Sequence, residues 1–224
     1  MAKKETALIV GAGSGLSASV ARLFQIEGMD VSLSARNTDK LKDLASEIGA
    51  KTYAVDVADP ASVAALFEAV DADTGTPDVV VFNPSYRVRG PVAELDPEEV
   101  RKTLMITCFG GFLVGQQATR RMEEKGGGTI LFTGASAGVK GYPNSAPFAM
   151  GKFGLRGLIQ SMARELQPKN IHVAHFVIDG GIGKSDDDTK LDPDAIAKTY
   201  LDVHRQHRSA WTWEVELRPW KETF

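Results

Sequence analysis

The sequence has almost no cysteine: Cys108 is the single thiol in 224 residues. One cysteine excludes an internal disulfide framework and fits a reducing, cytoplasmic compartment. Charge imbalance is also slight. Lysine and arginine number 26 against 29 acids, a net of −3. There is no basic stripe to hold a nucleic acid and no acidic block of the kind found in disordered tails. No apolar run approaches the roughly 18 residues that a membrane helix needs. The opening Met-Ala-Lys-Lys-Glu passes into Ala7–Val10, too short for a secretory apolar region and followed at once by glycines. Repeats, low-complexity tracts and linkers are missing as well. What is left is a chain of one-domain length, residues 1–224, 43% hydrophobic and able to bury a sizeable core.

Short apolar runs alternate with helical patterns along the whole chain. Strands are expected at 6–10, 30–34, 51–55, 78–82, 128–133 and 171–177. Their near-continuous Val, Ile, Leu and Phe content reads as a parallel sheet buried on both faces. Helix starts are marked by Asp59-Pro60, Asp96-Pro97 and Asp192-Pro193, each a cap followed by a first-turn proline. Glu99, three residues after Asp96, suggests a capping box. Within 153–166, Leu155, Leu158, Ile159 and Met162 share a helical face, to be core or interface. The tail Trp211, Trp213, Val215, Leu217 has a period of two and reads as a last strand. This alternation predicts an α/β Rossmann-type fold: a doubly wound parallel sheet in three α/β/α layers. Asp179–Asp194 breaks the rhythm and reads as a loop or flap.

The first strand runs into Gly11-Ala12-Gly13-Ser14-Gly15-Leu16-Ser17. A chain that turns sharply and brings its N–H groups against a pyrophosphate needs residues without a Cβ. The helix starting near Leu16 adds its positive end. In the first strand–helix turn of a βαβ chain this is a dinucleotide fingerprint. After the second strand, where an NAD enzyme carries an acid for the ribose hydroxyls, stand Ala35 and Arg36. The missing acid and the guanidinium favour NADP(H) over NAD(H).

These motifs resemble the short-chain dehydrogenase/reductase (SDR) family over nearly the whole chain. In that family's opening TGxxxGxG, Gly11 and Gly15 match, Val10 takes the threonine place and Ser17 the last glycine's. Asp56-Val57 matches the adenine-contacting pair, and Asn83 is what remains of NNAG in Phe82-Asn83-Pro84-Ser85. Gly180-Gly181-Ile182 resembles the family's PG segment, with Asp179 replacing proline. The resemblance implies cofactor contacts from Gly11, Gly13, Ser14, Gly15, Leu16, Arg36, Asp56, Val57, Asn83, Lys152, Gly180 and Ile182. It also implies a small-molecule substrate and a homodimer or homotetramer paired through the helices carrying Thr107 and Lys152.

The catalytic set departs from the family. Lys152 is present, but its tyrosine, serine and asparagine places hold Phe148, Ala135 and Thr107. An alkoxide formed by hydride transfer must gain a proton, and a phenyl ring has none to give. A methyl group cannot hold a carbonyl oxygen. Lys152 is expected at the nicotinamide ribose, where the family uses it. Ser136, one residue from the usual serine place, is a candidate to orient the substrate, and Tyr142 is the first candidate proton donor. Tyr86 is a second, with Arg87 and Arg89 beside it to hold an anionic substrate. His204 and His207 lack a third metal ligand and read as a solvated helix end. His172 and His175 fall on opposite faces of a strand. Cys108 has no activating neighbour and reads as an inert thiol. Trp211, Trp213 and Trp220, with Pro219 and Phe224, are expected to pack on the sheet edge or a partner. The short region at Gly180–Leu191 predicts an open or partner-completed cleft. Three functions stay open: an NADP(H)-dependent oxidoreductase with a non-standard proton relay, a nucleotide-binding protein that transfers no hydride, and a non-redox enzyme on the same fold.

Overall fold

The computed structural model describes residues 4–223. Phe224, grouped by sequence with the tail tryptophans, lies outside them, as do Met1, Ala2 and Lys3. Seven strands form one parallel sheet: β1 (Thr6–Val10), β2 (Asp30–Ala35), β3 (Lys51–Ala54), β4 (Val79–Phe82), β5 (Gly128–Thr133), β6 (Ile171–Ile178) and β7 (Glu214–Leu217). Their order is β3-β2-β1-β4-β5-β6-β7. Strand order reverses between β1 and β4, so a crevice opens at their carboxyl ends.

Alternation along each strand feeds two cores. Ala7 and Ile9 of β1 face one layer, where α1 (Leu16–Ile26), α2 (Lys42–Ile48) and α7 (Pro193–His204) pack. Leu8 and Val10 face the other, with α3 (Pro60–Thr74), α5 (Gly110–Lys125) and α6 (Ala146–Leu166). The predicted strands appear where expected, with ends shifted by a residue or so. The tail strand is shorter than its pattern: Trp211 and Trp213 precede it, because Trp211 stacks on His172 and donates to the Gln206 carbonyl. Trp220 faces solvent. Leu155 and Ile159 are fully buried, so the apolar face of the 153–166 pattern is core.

The three aspartate caps form as read. Asp59, Asp96 and Asp192 accept from the N–H groups of Ala61, Glu98 and Asp194 at 2.9, 2.9 and 2.7 Å. The capping box does not: the Glu99 carboxylate accepts from Tyr86 Oη at 2.6 Å instead. α4 (Pro97–Leu104) runs through a π-helical turn, Met105–Phe109, into α5. His204 is not solvated either. Its ring is held between Thr129 Oγ1 (3.0 Å) and Glu5 (2.9 Å), joining α7 to the sheet; His207 is exposed, as expected. Among the described residues no helix is long and apolar enough to cross a membrane, and no cluster of three potential metal ligands occurs.

Candidate active site

Two cavities lie at the carboxyl ends of the strands and meet at Asn83 and Ser85, which line both. The first, about 650 Å³, is bounded by the β1–α1 turn, the end of β2 and the segment after β3. Gly11 has φ +80°, and a Cβ there would lie 2.7 Å from Pro84 Cγ, so glycine is required twice over. The N–H groups of Gly11 and Ala12 are used by the Ser34 carbonyl. Gly13 and Gly15 face open space. Of the expected cofactor residues, Gly11, Gly13, Ser14, Arg36, Asp56, Val57 and Asn83 line this cavity. Gly15 and Leu16 do not; the Leu16 side chain belongs to the core. Lys40, a second cation that no motif marks, lines the same cavity as Arg36. Asn83 is fixed by donating from Nδ2 to Ser17 Oγ at 2.7 Å, so the serine in the last motif-glycine place has a structural partner.

The second cavity, about 780 Å³, gathers Lys152, Ser136, Tyr142, Phe148, Ala135, Arg87, Arg89, Gly180 and Ile182. Lys152 is buried, and its Nζ donates to the Thr133 carbonyl at 2.8 Å. Burial without a carboxylate partner pushes its pKa down to about 8. Phe148, in the family's tyrosine place, has the Arg87 guanidinium 4.8 Å and the Lys152 ammonium 5.8 Å from its ring centre. Ser136 starts a short 3₁₀ turn on the cavity wall. Tyr142 is 40% exposed, with Lys140 Nζ 5.5 Å from its ring. Tyr86 does not line the cavity: its hydroxyl is turned to Glu99 and Lys102 on α4. Thr107 is buried in the π turn, and its Oγ1 accepts from the Tyr86 N–H at 3.3 Å.

Ser145 and Glu222 were not legible in the sequence, and Asp179 was legible only by its place before Gly180, not by its partners. Ser145, at the start of α6, is buried on the cavity wall. Asp179 is buried and held by Arg218, with Lys140 at 3.8 Å. Glu222 reaches the cavity because the tail folds over Gly180, where a Cβ would meet Pro219 Cδ at 2.7 Å. The flap is pinned by a bridge between Ile182 and Leu191. Under the floor, His175 bonds Glu214 through Nδ1 at 2.9 Å, while His172 points to the opposite face and bonds the Thr212 carbonyl. Cys108 packs beside Gly154, and burial pushes its thiol pKa up, in keeping with an inert thiol.

A family model described as short chain dehydrogenase matches residues 5–194. Among solved structures, a short-chain dehydrogenase from Rhodopseudomonas palustris is 38% identical with a TM-score of 0.86, covering 96% of this chain and 99% of its own. A metagenomic short-chain oxidoreductase in complex with NADP is 27% identical, also at TM-score 0.86, covering 96% and 97%. The trans-4-hydroxycyclohexanecarboxylate dehydrogenase of Sinomonas cyclohexanicum is 33% identical over 181 residues, 76% of this chain and 70% of that one. With the parallel sheet, the glycine turn at its switch point and the paired cavities, these matches establish that the chain belongs to the short-chain dehydrogenase family.

Proposed function

We propose that this protein is an NADP(H)-dependent oxidoreductase that interconverts a carbonyl and an alcohol through a non-standard proton relay. The observation that carries the reading is Lys152: a buried cation without a carboxylate partner, in a cavity that shares the walls Asn83 and Ser85 with the glycine-turn groove. The residues present fit a nicotinamide dinucleotide. Gly13 faces open space where a pyrophosphate would lie, and Arg36 and Lys40 stand where an adenosine 2′-phosphate would. Asp56 and Val57 would hold the adenine end; Asn83, Lys152, Gly180 and Ile182 would hold the nicotinamide end. When bound, the dinucleotide supplies or takes up a hydride. The NADP bound to the metagenomic neighbour supports this cofactor choice.

The chain's own residues then manage a substrate oxygen. Ser136 Oγ donates a hydrogen bond that orients it. Tyr142 Oη passes it a proton, in place of the hydroxyl that Phe148 lacks. The Lys152 ammonium adds positive potential on the same cavity wall. Two copies are expected to associate, and the lone thiol Cys108 suits a reducing cytoplasm.

A second reading, a nucleotide-binding protein that transfers no hydride, is favoured by one observation: the Phe148 ring has Arg87 and Lys152 against it where an acid would act. Fluorescence titration with NADPH and NADH, followed by rapid mixing with aldehydes and ketones, separates the two. Tighter binding of NADPH with substrate-dependent oxidation supports the oxidoreductase, and binding without oxidation supports the silent homologue. Tyr142→Phe is expected to lower turnover by about a hundredfold while leaving NADPH affinity unchanged; full turnover in that variant removes Tyr142 from the relay.

A further inference from the structure

The second cavity has a polarity that the proton relay does not use. Arg87 and Arg89 both line it, and neither has a carboxylate within ion-pair distance among the described residues. Elsewhere Arg22, Arg121 and Arg156 are matched with Glu47, Asp71 and Glu214, while Arg120, Arg164 and Arg208 are exposed and unmatched among the described residues, so it is the place of Arg87 and Arg89 on the cavity wall that sets them apart. Arg87 is also held in place: its guanidinium lies over the Phe148 ring, and a planar cation stacked on an aromatic face keeps its N–H fork free for a ligand.

A second, independent observation points to the same spot. Ser145 is 2% exposed, lines this cavity and immediately precedes the 21-residue α6, yet its hydroxyl has no hydrogen-bond partner. A buried hydroxyl without a partner calls for a ligand atom to satisfy it. The helix start behind it offers two further donors, the N–H groups of Ala146 and Phe148, since Pro147 has none and the Ala149 N–H donates to the Ser145 carbonyl at 3.0 Å. Ser145 makes no side-chain cap, and the first-turn N–H groups of a helix have no partner within it. The segment carrying the arginines is tied to this end, because the Gly90 N–H donates to the Asn144 carbonyl at 3.1 Å. The acids of the cavity lie elsewhere. Asp179 is engaged by Arg218 and Lys140, and Glu222 sits beside Gly180.

We infer that Arg87, Arg89, the Ser145 hydroxyl and the first turn of α6 form an oxyanion subsite that selects substrates bearing a carboxylate or phosphate group. As a selector of substrates it rests on the oxidoreductase reading; as a binding site it stands without it. Two guanidiniums and a helix N-terminus supply charge-assisted donors, and the hydroxyl adds a directional one. The anionic end of the substrate lies at the α6 start, leaving its reacting oxygen toward Ser136 and Tyr142.

The test is calorimetric titration, with and without saturating NADPH, using benzoate, phenyl phosphate and the neutral benzamide. At least one anion is expected to bind ten times more tightly than benzamide, and which one binds best identifies carboxylate or phosphate as the natural group. In Arg87→Gln/Arg89→Gln the preference is expected to vanish. In Ser145→Ala the anion affinity is expected to fall severalfold. Unchanged melting temperatures establish that the variants are folded. Equal binding of benzamide, no binding of either anion, or a preference that survives the double substitution overturns the subsite. A turnover arm compares 4-carboxybenzaldehyde with benzaldehyde. Arginine-dependent anion binding with neither aldehyde reduced upholds the subsite and defeats the oxidoreductase reading. Turnover of both aldehydes with equal kcat/KM, together with no arginine-dependent binding of either anion, defeats the subsite and spares that reading.

Discussion

At the scale of single residues, the proposed chemistry turns on Phe148 and Lys152. The Phe148 ring has Arg87 and Lys152 on its surface, so a hydroxyl added to it would enter a cationic cavity that favours the phenolate. Phe148→Tyr is therefore expected to raise kcat for carbonyl reduction by about a hundredfold, with NADPH affinity unchanged, as read by steady-state kinetics and fluorescence titration. No gain would mean that proton transfer at that place does not limit turnover. Lys152 makes a prediction in pH. Burial lowers its pKa to about 8, so the ammonium is the main form below about pH 8 and is lost above it. Because the role proposed for Lys152 needs the charged form, turnover is expected to fall as pH rises from 7 to 9. In Lys152→Met the profile should be low and flat over that interval, and a wild-type profile that rises there would contradict the assignment.

At the scale of elements, the β5–β6 floor explains a sequence requirement that no motif announces. Gly134 follows β5, and a Cβ there would collide with His175 Nε2 of β6. His175 cannot move freely, since Nδ1 is bonded to Glu214, which Arg156 holds in turn through two N–H···O contacts. Gly134→Ala is expected to cost about 1–3 kcal/mol in a urea unfolding series, with part of the loss recovered when His175→Ala opens the space. The same contrast shows what a sequence discloses. The strands are legible because Val79–Phe82 and Ile171–Ile178 are apolar at every or nearly every position, and the caps are legible because Asp-Pro is a local signal. The positions of Gly11, Arg36, Asp56, Asn83 and Lys152 follow from their places at strand ends or in a helix motif. His204 misled because its partner Glu5 is 199 residues away, and Glu99 because Tyr86 outcompetes the local cap. Ser145, Glu222 and the Arg87–Phe148 stack depend on chain folding back from elsewhere, so spacing carries no trace of them.

At the scale of the whole molecule, the outer helical layer leaves apolar surface uncovered. Leu155 and Ile159 turn α6 inward, which sends Met150, Phe153, Gly154 and Gly157 to the other side of the helix, spaced three, four and seven apart. Met150 and Phe153 are 50% and 45% exposed, and Phe112 on the neighbouring α5 is 41% exposed. Gly157 has nothing within 4 Å of a would-be Cβ, so another backbone can approach there. A patch of this kind, aromatic with small residues between, suits a two-fold contact in which each copy meets the same face of the other. The wild-type chain is thus expected to sediment as a dimer or a tetramer. A carboxylate at Phe153 would be buried unpaired at the centre of that contact. Phe153→Glu should weaken association by about 2 kcal/mol, roughly thirtyfold, without altering NADPH binding, because residue 153 lines neither cavity. A wild-type chain that sediments as a monomer at micromolar concentration, or a variant that associates as tightly as the wild type, would show that this face is left to solvent.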